Sequence, residues 1–91
     1  MKYKIASTGR FRKDLKTAIK RNYDIDLLNT IVEQLANCKQ LSAKYKDHPL
    51  TGSWDGHREC HITPDWLLIY KIEKNILILT LTRTGTHSDL F

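Results

Sequence analysis

The sequence predicts an α+β domain. One short strand leads into two amphipathic helices, and a meander of three or four antiparallel strands follows, with the helix pair packed on one face of the sheet. Three observations carry this. Apolar residues recur at helical spacing between Phe11 and Leu35 and at a period of two after Leu50. Gly52, Asp55-Gly56, Pro64-Asp65 and Lys74-Asn75 cut the second half into short runs, as turns between strands do. The chain has 91 residues, enough for one core and too few for two, so residues 1–91 form a single domain.

Tyr3 to Ser7 reads as the first strand. Ser7 or Thr8 offers a side-chain cap for a helix that runs to about Asn22. Phe11, Leu15, Ala18 and Ile19 form its apolar face, while Arg12, Lys13, Lys16 and Lys20 fall mostly on the opposite side. Asp24 or Asp26 caps a second helix to about Cys38, with Leu28, Ile31, Val32 and Leu35 as the buried stripe. The short link between the helices favours an antiparallel pair. Lys39 to Asp47 is a polar loop carrying Lys44 and Lys46.

From His57 to Thr63 the residues alternate. His57, Glu59 and His61 therefore share one sheet face, and Arg58, Cys60 and Ile62 the other. Trp66 to Ile72 and Ile76 to Thr82 are nearly continuous apolar runs, as central strands are. Arg83 has the parity of Leu77, Leu79 and Leu81, which would place a charge on an apolar face. Either that face is partly open, or a bulge near Thr82 turns the arginine out.

Composition narrows the class. Hydrophobic residues make up 41% of the chain and charged residues 27%, which fits a globular domain and excludes a disordered one. No apolar run approaches the roughly 20 residues of a membrane helix. Met1 to Gly9 lacks a signal-peptide core, so a cytoplasmic protein without membrane contact is expected. Cys38 and Cys60 have no CxxC spacing and read as reduced, partly buried thiols. Charge is uneven: residues 1–46 carry 11 basic against 4 acidic side chains, residues 47–91 carry 4 against 6. A basic half favours a polyanionic partner or an acidic protein.

All four histidines lie in the other half. Cleavage of RNA at its 2′-hydroxyl needs a base for that hydroxyl, an acid for the 5′-oxygen and a counter-charge for the phosphorane. Histidine suits both proton transfers because imidazole titrates near pH 6.5. Arginine keeps its charge and matches phosphate geometry. Aromatic rings hold bases by stacking. The chain supplies His48, His61 and His87 for protons, Asp65 to orient or accept, Arg83 for charge, and Phe91 or Trp66 for stacking. A metal centre is the competing chemistry, but no HxH or HExxH spacing occurs. His57 and His61 on a strand would stand about 13 Å apart, too far to share an ion. No metal and no cofactor is expected.

Three segments, Tyr45-Lys46-Asp47-His48-Pro49-Leu50-Thr51-Gly52-Ser53-Trp54, His61-Ile62-Thr63-Pro64-Asp65-Trp66-Leu67-Leu68-Ile69-Tyr70-Lys71 and Arg83-Thr84-Gly85-Thr86-His87 with Leu90-Phe91, resemble the YafQ branch of the RelE/ParE toxin superfamily. The resemblance covers essentially the whole chain. It implies the toxin of a type II toxin–antitoxin module, an mRNA interferase that enters the A site of the 70S ribosome and cuts the mRNA there. It carries functional roles onto His48, His61, Asp65, Trp66, Arg83, His87 and Phe91: His87 as acid, His61 or His48 with Asp65 as base, Arg83 on the phosphate, Phe91 and Trp66 on the substrate. It also implies that Lys13, Lys16 and Lys20 contact ribosomal RNA. The implied partner is a small dimeric DNA-binding antitoxin, and operator DNA is reached only through that complex. The rival within the superfamily is a ParE-like binder that inhibits DNA gyrase without cutting RNA.

Overall fold

The structure, a computed structural model, describes residues 2–91. Its elements are β1 (Lys4–Ser7), α1 (Gly9–Lys20), α2 (Ile25–Ala36), β2 (His48–Pro49), β3 (Arg58–Thr63), β4 (Trp66–Glu73), β5 (Ile78–Gly85) and α3 (His87–Leu90). Short 3₁₀ turns at Ala43–Tyr45 and Gly52–Trp54 flank β2. The strands form one sheet in the order β1-β5-β4-β3-β2, with β1 parallel to β5 and the remaining pairs antiparallel.

Local chemistry sets the helix boundaries. Thr8 caps α1: its hydroxyl accepts the Phe11 N–H and donates to the Thr82 carbonyl at 2.7 Å. One side chain thus starts the helix and ties it to the end of β5. Asn22 takes the left-handed φ of 61° in the link, and Asp24 caps α2 by accepting the Asp26 N–H. Phe11 and Ala18 of α1 and Leu28, Ile31, Val32 and Leu35 of α2 bury against Cys60, Ile62, Trp66, Leu68, Tyr70, Leu79 and Leu81 of the sheet. Ile19, expected on the buried face, is 55% exposed. Cys60 is fully buried and its thiol is pushed up to about 12, mainly by that burial. Cys38, expected to be partly buried, is exposed.

The face of the sheet away from the helices is not bare. It is partly covered: Leu67, Ile69 and Leu90 form a second small core, with Leu50 and Trp54 packed against it. The chain reaches Leu90 through α3, a helical turn beyond the last strand. Thr86 caps it in a reciprocal box with Asp89, whose carboxylate accepts the Thr86 N–H.

Arg83 resolves in favour of the bulge. Leu81 lies opposite Tyr70 and Arg83 opposite Ile69, so Thr82 has no partner on β4. The extra residue moves Arg83 off the face of Leu79 and Leu81.

Candidate active site

The β3–β4 turn and the β5–α3 turn lie side by side at one end of the sheet, because Thr63 pairs with Trp66 and Leu67 with Gly85. Between them runs a cleft of about 510 Å³ lined by Tyr23, His61, Asp65, Leu67, Thr86 and His87. That volume lies within the range of ligand sites, about 300–1,000 Å³.

His61 is half-buried and held on two sides. Its Nδ1 lies 3.4 Å from the Pro64 carbonyl oxygen and its Nε2 lies 3.6 Å from Glu59 Oε1. Glu59 sits almost fully buried in the neighbouring position on the same face of β3. Its second partner is His48 Nε2 at 3.3 Å, brought across by the His48–Glu59 pairing of β2 with β3. His48 Nδ1 meets the Pro49 carbonyl oxygen at 3.1 Å. A buried carboxylate needs donors around it, and two imidazoles provide them. The segment before His48 is fixed by Asp47, which accepts the Tyr70 hydroxyl and the Arg58 guanidinium. Burial, reinforced by Asp47, holds the Tyr70 phenol well above its ordinary value.

Across the cleft, His87 is exposed at the start of α3. Phe91 is 52% exposed, and its ring centroid lies 4.9 Å from that of His87 with the planes inclined by 33°. Asp65 is exposed in the turn, with no hydrogen bond among the described residues.

Two expected site residues lie elsewhere. Trp66 is 2% exposed and packs its ring 4.9 Å from Tyr23 in the main core, so stacking on a substrate base is corrected to core packing. The indole belongs to the even-numbered, helix-facing side of β4, opposite to Leu67 in the cleft. Arg83 does not line the cleft. Its fork closes on Asp14 of α1 at 2.8 and 3.0 Å, and the pair is only 14% exposed on either side. Asp14 also accepts the Thr84 N–H. A guanidinium satisfied this way is a fastening for β5 rather than a free phosphate clamp. Seven residues on, Arg21, the C-cap of α1, grips Asp89 at 2.7 and 3.3 Å. That contact, with the Thr86 N–H, holds the Asp89 carboxyl well below the usual range. Lys13, Lys16 and Lys20 are exposed on α1 and lie outside these pairs.

A family model described as bacterial toxin of type II toxin–antitoxin system, YafQ, matches residues 3–91. The chain belongs to the YafQ family. The mRNA interferase toxin YafQ of Escherichia coli K12 is 47% identical over 88 residues, covering 96% of this chain and 94% of that protein. The crystal structure of the E. coli DinJ–YafQ toxin–antitoxin complex contains a chain with a TM-score of 0.90 and 44% identity, covering 100% of this chain and 99% of that one. A metal-bound toxin from Helicobacter pylori superposes with a TM-score of 0.92 at 46% identity over the whole of both chains.

Within this YafQ-family site, the sequence reading missed Glu59 and the way it joins two histidines. Its parity with His61 was visible, but His48 joins only through the pairing of a two-residue strand. The nitrogen and oxygen donors of His48, Glu59 and His61 lie within 4.8 Å of one another and fit a zinc- or copper-type cation by their chemistry. The spacing argument against a metal concerned His57, which instead faces the Asp55 carbonyl and Trp54. Asp14 and Arg21 were hidden among the basic residues of α1 and its C-terminal cap. The Thr86…Asp89 spacing was a readable helix start.

Proposed function

We propose that the chain is the toxin of a type II toxin–antitoxin module and cuts mRNA in the ribosomal A site by general acid–base catalysis. The observation that carries this reading is the exposed cleft with His61 and Asp65 on one wall and His87 on the other. His61, its Nε2 held by Glu59 and with Asp65 beside it in the cleft, takes the proton of the 2′-hydroxyl on Nδ1. The 2′-oxygen attacks phosphorus. His87 gives a proton to the departing 5′-oxygen as the P–O5′ bond breaks. The products are a 2′,3′-cyclic phosphate and a 5′-hydroxyl. Phe91 stacks a substrate base beside His87. Histidinium charge, rather than Arg83, faces the phosphorane.

Lys13, Lys16 and Lys20, which have no ion pair among the described residues, offer a basic stripe to ribosomal RNA. The E. coli relative crystallised with its antitoxin supports an antitoxin as the partner here; a small dimeric DNA-binding protein, carrying the toxin to operator DNA, is the form this reading gives it. Among the described residues no helix is long and apolar enough to cross a membrane, and the cytoplasm, where ribosomes are, is the expected place of action. The metal-bound H. pylori relative supports a second occupancy. A cation on His48, Glu59 and His61 would engage the imidazole nitrogens and oppose proton transfer.

The test is cleavage of a defined mRNA, free and on programmed ribosomes, with analysis of both termini. Cuts confined to the ribosome, ending in cyclic phosphate and 5′-hydroxyl, are expected. Failure of folded, antitoxin-free protein to cut would overturn the reading in favour of a gyrase-type binder.

A further inference from the structure

A second hollow, of about 480 Å³, opens on the other side of His61 and Pro64, which line both it and the catalytic cleft. Its walls are Leu27 of α2, Tyr45, and Ile62 and Pro64 of the β3 end; Lys44 and Lys46 stand beside Tyr45. Ile62 belongs to the main core and half-buried Tyr45 packs against it, while Leu27 and the two lysines are left to solvent. Leu27 is 42% exposed beside buried Leu28. Both lysines are exposed, and among the described residues neither has a carboxylate within 4 Å. The adjacent acid, Asp47, is committed to Tyr70 and Arg58. The Lys44 ammonium lies 5.0 Å from the Tyr45 ring centroid. An apolar hollow with an aromatic ring and two cations that have no carboxylate partner among the described residues suits a flat base joined to a phosphate.

We propose that this hollow binds the nucleotide next to the scissile phosphate and so takes part in choosing where the mRNA is cut. The proposal rests on the nuclease reading above. Continuity decides the occupant: a strand with its phosphate between His61 and His87 passes over Pro64 into the hollow without leaving the protein. Tyr45 and Leu27 receive the base, and Lys44 and Lys46 the phosphate. An acidic antitoxin segment is the competing occupant, and it would have no need to touch His61.

The test is a double-mutant cycle on programmed ribosomes, crossing abasic nucleotides at each position around the cut with Tyr45→Leu, which keeps an apolar side chain in the packing. One flanking abasic site is expected to slow the wild type about tenfold or more. The same abasic site should add little to Tyr45→Leu. Lys44→Ala with Lys46→Ala, both on the surface, should raise the half-saturating concentration and weaken its salt dependence. Additive effects at every position would overturn the proposal. So would Tyr45→Leu that loses antitoxin affinity but cuts normally, which assigns the hollow to the protein partner. Absence of cutting by the wild type removes the nuclease reading and the subsite together, whereas normal cutting with additive effects removes the subsite alone.

Discussion

The seam between α1 and the C-terminal segment and the cleft a few residues away use charge in opposite ways. In the seam, Asp14 meets Arg83 and Arg21 meets Asp89, each through two hydrogen bonds. In the cleft, Asp65 has no hydrogen bond among the described residues, and His87 is exposed with only a ring beside it. Paired charges hold a backbone in place, while free ones remain available to exchange protons. Arginine is spent on the seam, and histidine occupies the cleft. The two regions share α3: Asp89 locks the turn from which His87 and Phe91 project.

Breaking the cleft should have the largest effect on activity and the smallest on the fold. His61→Ala is expected to lower single-turnover cleavage by about 10²–10⁴-fold with antitoxin affinity and circular dichroism unchanged. Breaking the seam should do the reverse. Asp14→Ala leaves a largely buried guanidinium without its partner and should cost about 3 kcal/mol in urea unfolding. Cleavage per folded molecule should stay within a few-fold. A stable but inactive Asp14→Ala would show that the seam takes part in the chemistry.

Phe91 sharpens the boundary, because it belongs to α3 yet stands exposed. Phe91→Ala should raise the half-saturating concentration about tenfold through lost stacking and leave the melting temperature nearly unchanged. The smallest effect concerns pH. The Asp89 carboxyl is depressed in the folded state, first by Arg21 and then by the Thr86 N–H. Its stabilising contribution is therefore complete above the ordinary carboxylate value of about 4 and fades as pH falls below it. The gap in melting temperature between wild type and Asp89→Asn should be widest at pH 7 and narrow steadily as pH falls from about 4 to 2.5. A gap of unchanged size across that range would contradict the ion-pair account.

Much of the fold was legible because it rests on local chemistry. The Thr8 and Asp24 caps, the buried stripe of α2 and the turns at Pro64-Asp65 and Lys74-Asn75 follow from residue type and spacing. The parity conflict of Arg83 pointed to the bulge at Thr82. The site was legible only in part. His61, Asp65 and His87 share a cleft because two hairpin ends coincide, and their residue types announced them. The Asp14–Arg83 and Glu59–His48 contacts join residues 69 and 11 positions apart through sheet order and a two-residue strand, and no periodicity encodes such pairings. Trp66 misled for a related reason: its neighbours in sequence line the cleft, but its own parity sends it into the core.

The most direct measurement uses a ribosome-bound mRNA whose scissile 5′-oxygen is replaced by sulfur. A thiolate leaves without a proton, since thiols ionise near pH 8.5, whereas an alkoxide needs an acid. His87→Ala should cut the oxygen substrate about 10²–10⁴-fold more slowly than wild type and recover most of that loss on the sulfur substrate. His61→Ala should stay slow on both. Equal defects of the two variants on the sulfur substrate, or no defect of His87→Ala on oxygen, would contradict the assignment of acid and base to opposite walls of the cleft.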